Sequence, residues 1–393
     1  MLAYNKTWFS NLLIIEQVQQ KTDEGYLTTA ELNNIKTAYP VGFYTPGFIG
    51  RMGLFALTLF ISAVACLLLS LIFEPFAVVE SYFWFLFLGT ANYAALETLV
   101  RNKHHFRSGV DDALLWVSFV LLSGSIYWAV KNEHDVTLYT SASIFVLGCL
   151  FTMRFNDRLT GAISYLSAVS FIYFMWQKLG TFGLSTMPLI LILLSAALYR
   201  FFKQLENKQN MSFYGKVILV VEMLSLLTFY LSGNYYAVAA LNDVLQGAEN
   251  NAIPLSWAFW LWTTLIPIVY IFAGIRRKSH LFLRLGMFLV VIAVLTIRNY
   301  YHLMPTSYVL SLCGSIMLTM CWWLNNYLRK PEHEFTLKET PTFSDTDDIN
   351  VESLIISETM PHGSNAQLHT PASDSRTNFG GGSFGGGGAS SEF

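Results

Sequence analysis

The sequence predicts an all-α membrane protein: a polytopic bundle of about ten transmembrane helices, a small cytosolic helical N-terminus and a disordered C-terminal tail. Three observations carry that prediction. The stretch Ile49–Phe73, IGRMGLFALTLFISAVACLLLSLIF, has no charge after Arg51 for more than twenty residues. At 1.5 Å per residue it is long enough to cross about 30 Å of hydrocarbon. Second, 53% of the 393 residues are hydrophobic and only 13% are charged, about half the charged fraction of a soluble domain. Third, basic residues alternate between the apolar runs so as to fall almost entirely on one side of a membrane.

Residues 1–48 precede the first span, too far from an apolar start to be a cleavable signal peptide. Trp8, Leu12, Ile15 and Val18 form a helical stripe. Gly25 breaks it, and a second helix opens at Thr28, where Thr28-x-x-Glu31 reads as a capping box and Leu27 with Leu32 as a hydrophobic staple. Pro40 closes that helix. Two helices of this size cannot build a substantial core, so they are expected to lie against the membrane face, a neighbouring loop or a partner.

After Ile49–Phe73, further spans are predicted near 77–99, 110–130, 136–154, 159–178, 184–204, 212–232, 253–275, 281–299 and 306–328. The stretch 136–154 is short and rich in Thr and Ser. With both termini on one side, 21 of the 24 basic residues share that side, and only Lys131, Lys178 and Arg298 lie opposite. Lys and Arg bias sets orientation, so the basic side, with both termini, is expected to be cytosolic. The longest outer connection, 233–253, reads as a simple connector with room for one amphipathic turn.

From Arg329 to Phe393 the chain has 4 basic and 10 acidic residues and is rich in Ser, Thr and Pro, a disorder signature. It ends in NFGGGSFGGGGASSEF. The domain reading is therefore 1–48, a cytosolic helix-turn-helix; 49–328, the bundle; and 329–393, an acidic, glycine-rich tail suited to recruiting a cytosolic protein.

Ionisable and strongly polar groups inside spans are functional candidates. Glu222 stands about 9 Å of helical rise beyond Lys216, outside easy snorkelling reach. Left unpaired in hydrocarbon it would hold a proton, as a proton-coupled transporter requires; a buried acid bonded to a neighbouring Tyr, Ser or Arg is the structural alternative. Glu97 precedes Arg101 by four residues, which reads first as a salt bridge. Asn92, a turn and a half away, calls for a hydrogen-bond partner on another helix. Arg298, with Tyr300, Tyr301 and His302, forms an outer aromatic cluster, read as interfacial anchoring and alternatively as a seat for an anionic headgroup.

Other patterns concern packing. Gly161, Ser164, Ser167 and Ser170 form a small-residue stripe that admits a close neighbour. Pro267 frees the carbonyl of Thr263, which another group must satisfy. Pro188 falls near the start of its span, where proline is harmless. His104 and His105 with Asp111 and Asp112 match no recognised metal spacing, and the four cysteines read as small hydrophobes. No cofactor or metal site is predicted. There is no HExxH and no P-loop, so nothing points to an enzyme, and a net charge of −2 argues against nucleic acid.

Three features together resemble a family of uncharacterised bacterial multi-pass membrane proteins, a domain of unknown function. They are GYLTTAELNNI running into RMGLFALTLF, the close succession of apolar helices, and the last hairpin IRNYYHLMPTSYVLSLCGSIML. The similarity spans residues 25–328 and implies a bacterial cytoplasmic membrane protein, with no activity to carry over. The tail is similar in style to the glycine-rich tails of TPM-domain membrane proteins, although that domain is absent.

Two functions follow as expectations. One is a transporter or channel for a small solute or lipid, with Glu222, Asn92, Glu97 and Arg298 along its path. The other is a non-catalytic scaffold in the lipid bilayer that recruits a partner through its cytosolic termini.

Overall fold

The computed structural model describes residues 2–23, 26–74, 79, 81–206, 213–246, 255–277 and 279–301, with isolated positions 308, 311, 314, 315, 318, 319 and 322. The described residues form twelve helices: α1 (Lys6–Asp23), α2 (Thr29–Ala38), α3 (Phe48–Phe73), α4 (Tyr82–Lys103), α5 (Val110–Val130), α6 (Val136–Phe155), α7 (Arg158–Gln177), α8 (Gly180–Glu206), α9 (Gly215–Gly233), α10 (Tyr235–Gln246), α11 (Ser256–Arg276) and α12 (His280–Tyr301). Nine of these, all but α1, α2 and α10, are long and apolar enough to cross a membrane. The protein is an all-α, multi-pass membrane bundle. The tenth predicted span and the tail from 329 onward lie outside the described residues, apart from the isolated positions in the former.

The most extensive helix packing is within sequential hairpins, α4 with α5, α6 with α7, α8 with α9, and α11 with α12. Short turns make such neighbours antiparallel. α6 forms despite its Thr and Ser because their hydroxyls bond their own helix: Thr140 donates to the Val136 carbonyl at 2.7 Å and Ser143 to Tyr139 at 2.6 Å. The stripe on α7 brings the backbones together. A Cβ on Gly148 would stand 2.9 Å from the Cβ of Ser164, and Ser164 donates to the Phe145 carbonyl at 3.2 Å. α8 begins earlier than expected, because 180–184 continue the helix, and Pro188 therefore lies well inside it.

α3 and α9 are the extremes of burial. Only 6% of the α3 span is buried, against 50% of α9. α3 is tied on by polar contacts: Ser62 donates to Asn92 Oδ1 at 2.7 Å, Trp84 Nε1 to Ser70 Oγ at 2.9 Å, and Arg51 pairs with Asp112 at 2.7 Å. α9 packs against α7, α8, α10, α11 and α12, which makes it the hub of the second half.

The first N-terminal helix shares a core with the bundle. Tyr4, Phe9 and Leu13 enter one apolar cluster with Leu96 and Val100 of α4, Leu114 and Phe119 of α5, and Phe151 and Phe155 of α6. Phe106, in the α4–α5 turn, sits among them, 4.9 Å edge-on from the ring of Tyr4. Burial, with Asp111, Asp112 and Asp157 nearby, pushes the Tyr4 phenol well above its ordinary value, against the opposing pull of Arg107. Backbone bonds complete the dock: Ala3 N–H to Arg154 O at 2.9 Å and Tyr44 N–H to His104 O at 3.0 Å. The capping box at Thr28 and Glu31 is complete, and Leu27 and Leu32 are both buried. Both hydrogen bonds from Thr28 lower the Glu31 carboxyl's pKa.

Candidate functional site

The turn that receives the N-terminal segment is built around one carboxylate. Asp111, 3% exposed, accepts from the backbone N–H groups of Arg107 and Ser108, each at 2.8 Å, and from Ser108 Oγ at 2.9 Å. His105 Nδ1 lies 2.8 Å from the same hydroxyl. Within this turn His104, Arg107 and Gly109 all have positive φ. Asp111 thus serves the backbone of the turn, Asp112 pairs with Arg51, and among the described residues no group of three or more His, Cys, Asp or Glu is placed to hold a metal ion.

Glu97 is held from two helices. Arg101 of its own helix pairs with it across one turn, and Arg154 of α6 grips it through both Nε and Nη2. The i,i+4 pair is legible in the sequence; the partner 57 residues away is not. Asn92 uses both ends, accepting from Ser62 and donating to the Leu88 carbonyl at 2.9 Å.

Glu222 lies on α9, on the most enclosed span of the bundle. It is 5% exposed, and its Oε1 has no hydrogen-bond partner among the described residues. Lys216, the nearest cation along the helix, is turned away and pairs with Glu16 of α1. Lys203 and Glu206 of α8, themselves an ion pair, are the charges that act on Glu222. Ser225, on the next turn, is buried and donates to the Glu222 carbonyl at 2.9 Å.

Beyond Glu222, a seam of polar contacts runs at four-residue spacing through the Leu226 carbonyl, Tyr230 and Asn234, reaching about 18 Å from Glu222. Tyr270 Oη donates to the Leu226 carbonyl at 3.1 Å. Tyr230 Oη donates to the Thr263 carbonyl at 3.4 Å, the group that Pro267 leaves without its helical donor. Asn234 Nδ2 donates to Tyr230 Oη at 3.0 Å and to Thr296 Oγ1 of α12 at 3.2 Å. Its Oδ1 accepts from Tyr236 N–H at 3.0 Å and so caps α10. Sequence reading misses this knot, because Asn234 opens what looks like a connector. The connector instead begins with the twelve-residue α10, more than the single turn expected. An asparagine directly after Gly233 in an apolar run was the available signal.

Beside it lies the outer aromatic cluster. Tyr300 meets Tyr235 at 4.8 Å and Trp260 at 5.7 Å, both edge-on, and those two rings stack at 4.4 Å. Arg298 lies on the same helix, half-buried. The side chain of Tyr301 and all of His302 lie outside the described residues. The four candidates thus occupy three helices: Asn92 and Glu97 share α4, Glu222 is on α9 and Arg298 is on α12. No family model, curated protein or solved structure matches this chain.

Chemically, a carboxyl with an unused oxygen on an enclosed helix can take up and release a proton. The seam beyond it supplies phenol, amide and hydroxyl groups in sequence.

Proposed function

We propose that this protein is a proton-linked transporter of a small solute or lipid in the bacterial cytoplasmic membrane. Its basic end and both termini face the cytosol, and Glu222 is its protonation site. The observation that carries the reading is the burial of the Glu222 carboxyl on the hub helix with an oxygen that no described group uses. Ionisable groups are expensive in a bilayer and commonly mark ion or substrate paths, and a buried polar atom without a partner asks for an explanation. The distribution of Lys and Arg supports the orientation, and the bacterial membrane is what the resemblance of residues 25–328 implies. In this reading Asn92 and Glu97 brace the first half of the bundle, and Arg298 anchors the outer end. The alternative is a scaffold working through its cytosolic termini, of which α1 is already engaged by the core of the bundle.

The test is proton movement in proteoliposomes that hold the full chain and a trapped pH dye. A mixture of amino acids, small organic acids and sugars is added outside. The expected result is a mixture-dependent change in internal pH that falls to the level of protein-free vesicles in Glu222→Gln. A wild-type signal equal to that of protein-free vesicles overturns the proposal.

A further inference from the structure

α1 does more than cover the end of the bundle: it is tied to the hub helix. Glu16, in its third turn, pairs with Lys216 in the first turn of α9. Phe9, one face of α1 earlier, meets the ring of Phe213 at 5.6 Å, just ahead of α9. The same short stretch is held from α6 and its turn, with Asn156 Nδ2 donating to the Phe213 carbonyl and Tyr214 Oη to the Met153 carbonyl. From Lys216 to Glu222 is about 9 Å of helix, so the N-terminal segment grips α9 within two turns of the carboxyl.

The receiving surface also carries strain. His104 and Arg107 have φ of 54° and 49°, and Asn156 has φ of 53°. Left-handed residues outside glycine cost energy and persist where the surroundings over-determine them. Here the surroundings include the N-terminal segment, through the Tyr44 bonds to His104 and Phe106 and the Ala3 bond to Arg154. The Glu16–Lys216 pair itself is accessible, with side chains 38% and 31% exposed, so it can part without unfolding the core beneath.

We infer that α1 is a latch on α9. Docked, with Glu16 on Lys216, it holds α9 in the closed arrangement seen here; parting of that pair frees the α9 N-terminus and admits water to Glu222 from the basic end. The inference rests on the proposed role of Glu222.

The experiment uses the full chain in inside-out vesicles, with Cys66, Cys149, Cys313 and Cys321 replaced and Glu222→Cys as the reporter. A membrane-impermeant thiol reagent is applied to the basic side, and the modification rate is measured in four backgrounds: the intact latch, Glu16→Lys, Lys216→Glu, and both exchanges together. Each single exchange sets like charges against each other and should raise the rate about fivefold, the shift that reversing an exposed ion pair allows. The double exchange restores attraction and should return the rate to that of the intact latch. Equal rates in all four backgrounds overturn the latch and leave Glu222 reachable. No modification in any background, with full labelling after denaturation, overturns the latch and the proton reading together.

Discussion

Replacing Glu97 by alanine is expected to destabilise the bundle by about 2–3 kcal/mol, because it leaves the Arg154 guanidinium without its carboxylate in a partly desolvated site. Glu97 and Arg154 are 18% and 25% exposed, so the cost falls below the figure for fully buried pairs. Arg101, on the other side, is 62% exposed. Arg101→Ala should therefore cost under about 1 kcal/mol. The measurement is reversible unfolding in mixed micelles, following helix content against denaturing detergent. The joint replacement Glu97→Leu with Arg154→Met should recover most of the loss, since it removes both charges at once. Equal losses for Glu97→Ala and Arg101→Ala would show that the α4–α6 contact contributes nothing.

Gly109→Ala is the second large effect. Gly109 has φ of +92°, and a Cβ there would stand 2.1 Å from the carbonyl oxygen of Arg51. Both the conformation and the approach exclude a side chain, and the clash is backbone against methyl, with no flexible group to yield. Relief means moving α3 off the α4–α5 turn, at the point where Arg51 pairs with Asp112. A loss of about 3 kcal/mol or more is expected, read as a fall in folded yield and in unfolding midpoint. Gly47→Ala is the control: its φ is −61° and nothing lies within 4 Å. A Gly109→Ala protein as stable as that control would contradict the close approach of α3.

What was legible in the sequence was whatever the solvent or a short span of chain dictates. The nine spans show because a helix in lipid needs an unbroken apolar run of fixed length. The capping box at Thr28 shows because its two bonds reach only three residues. Pro267 announces a freed carbonyl, since the missing N–H is a covalent fact. What stayed hidden depends on which helices meet. Tyr230 answers Pro267 from another helix, Arg154 reaches Glu97 from 57 residues away, and Lys216 turns to Glu16 across 200. No local pattern encodes those distances. The N-terminal helices look too small for a core of their own, and the core that α1 enters belongs to α4, α5 and α6. Glu222 stood out as a lone acid in an apolar run. Its place on the hub helix, and the seam from Leu226 to Asn234, required the packing.

A Glu222 that exchanges a proton from within the bundle must show its carboxylic acid form come and go with pH. Difference infrared spectroscopy of the full chain in lipid nanodiscs, stepped in pH, should show a carboxylic acid band whose amplitude follows pH and which is missing from Glu222→Gln. Wild-type and Glu222→Gln spectra that agree at every pH would contradict it.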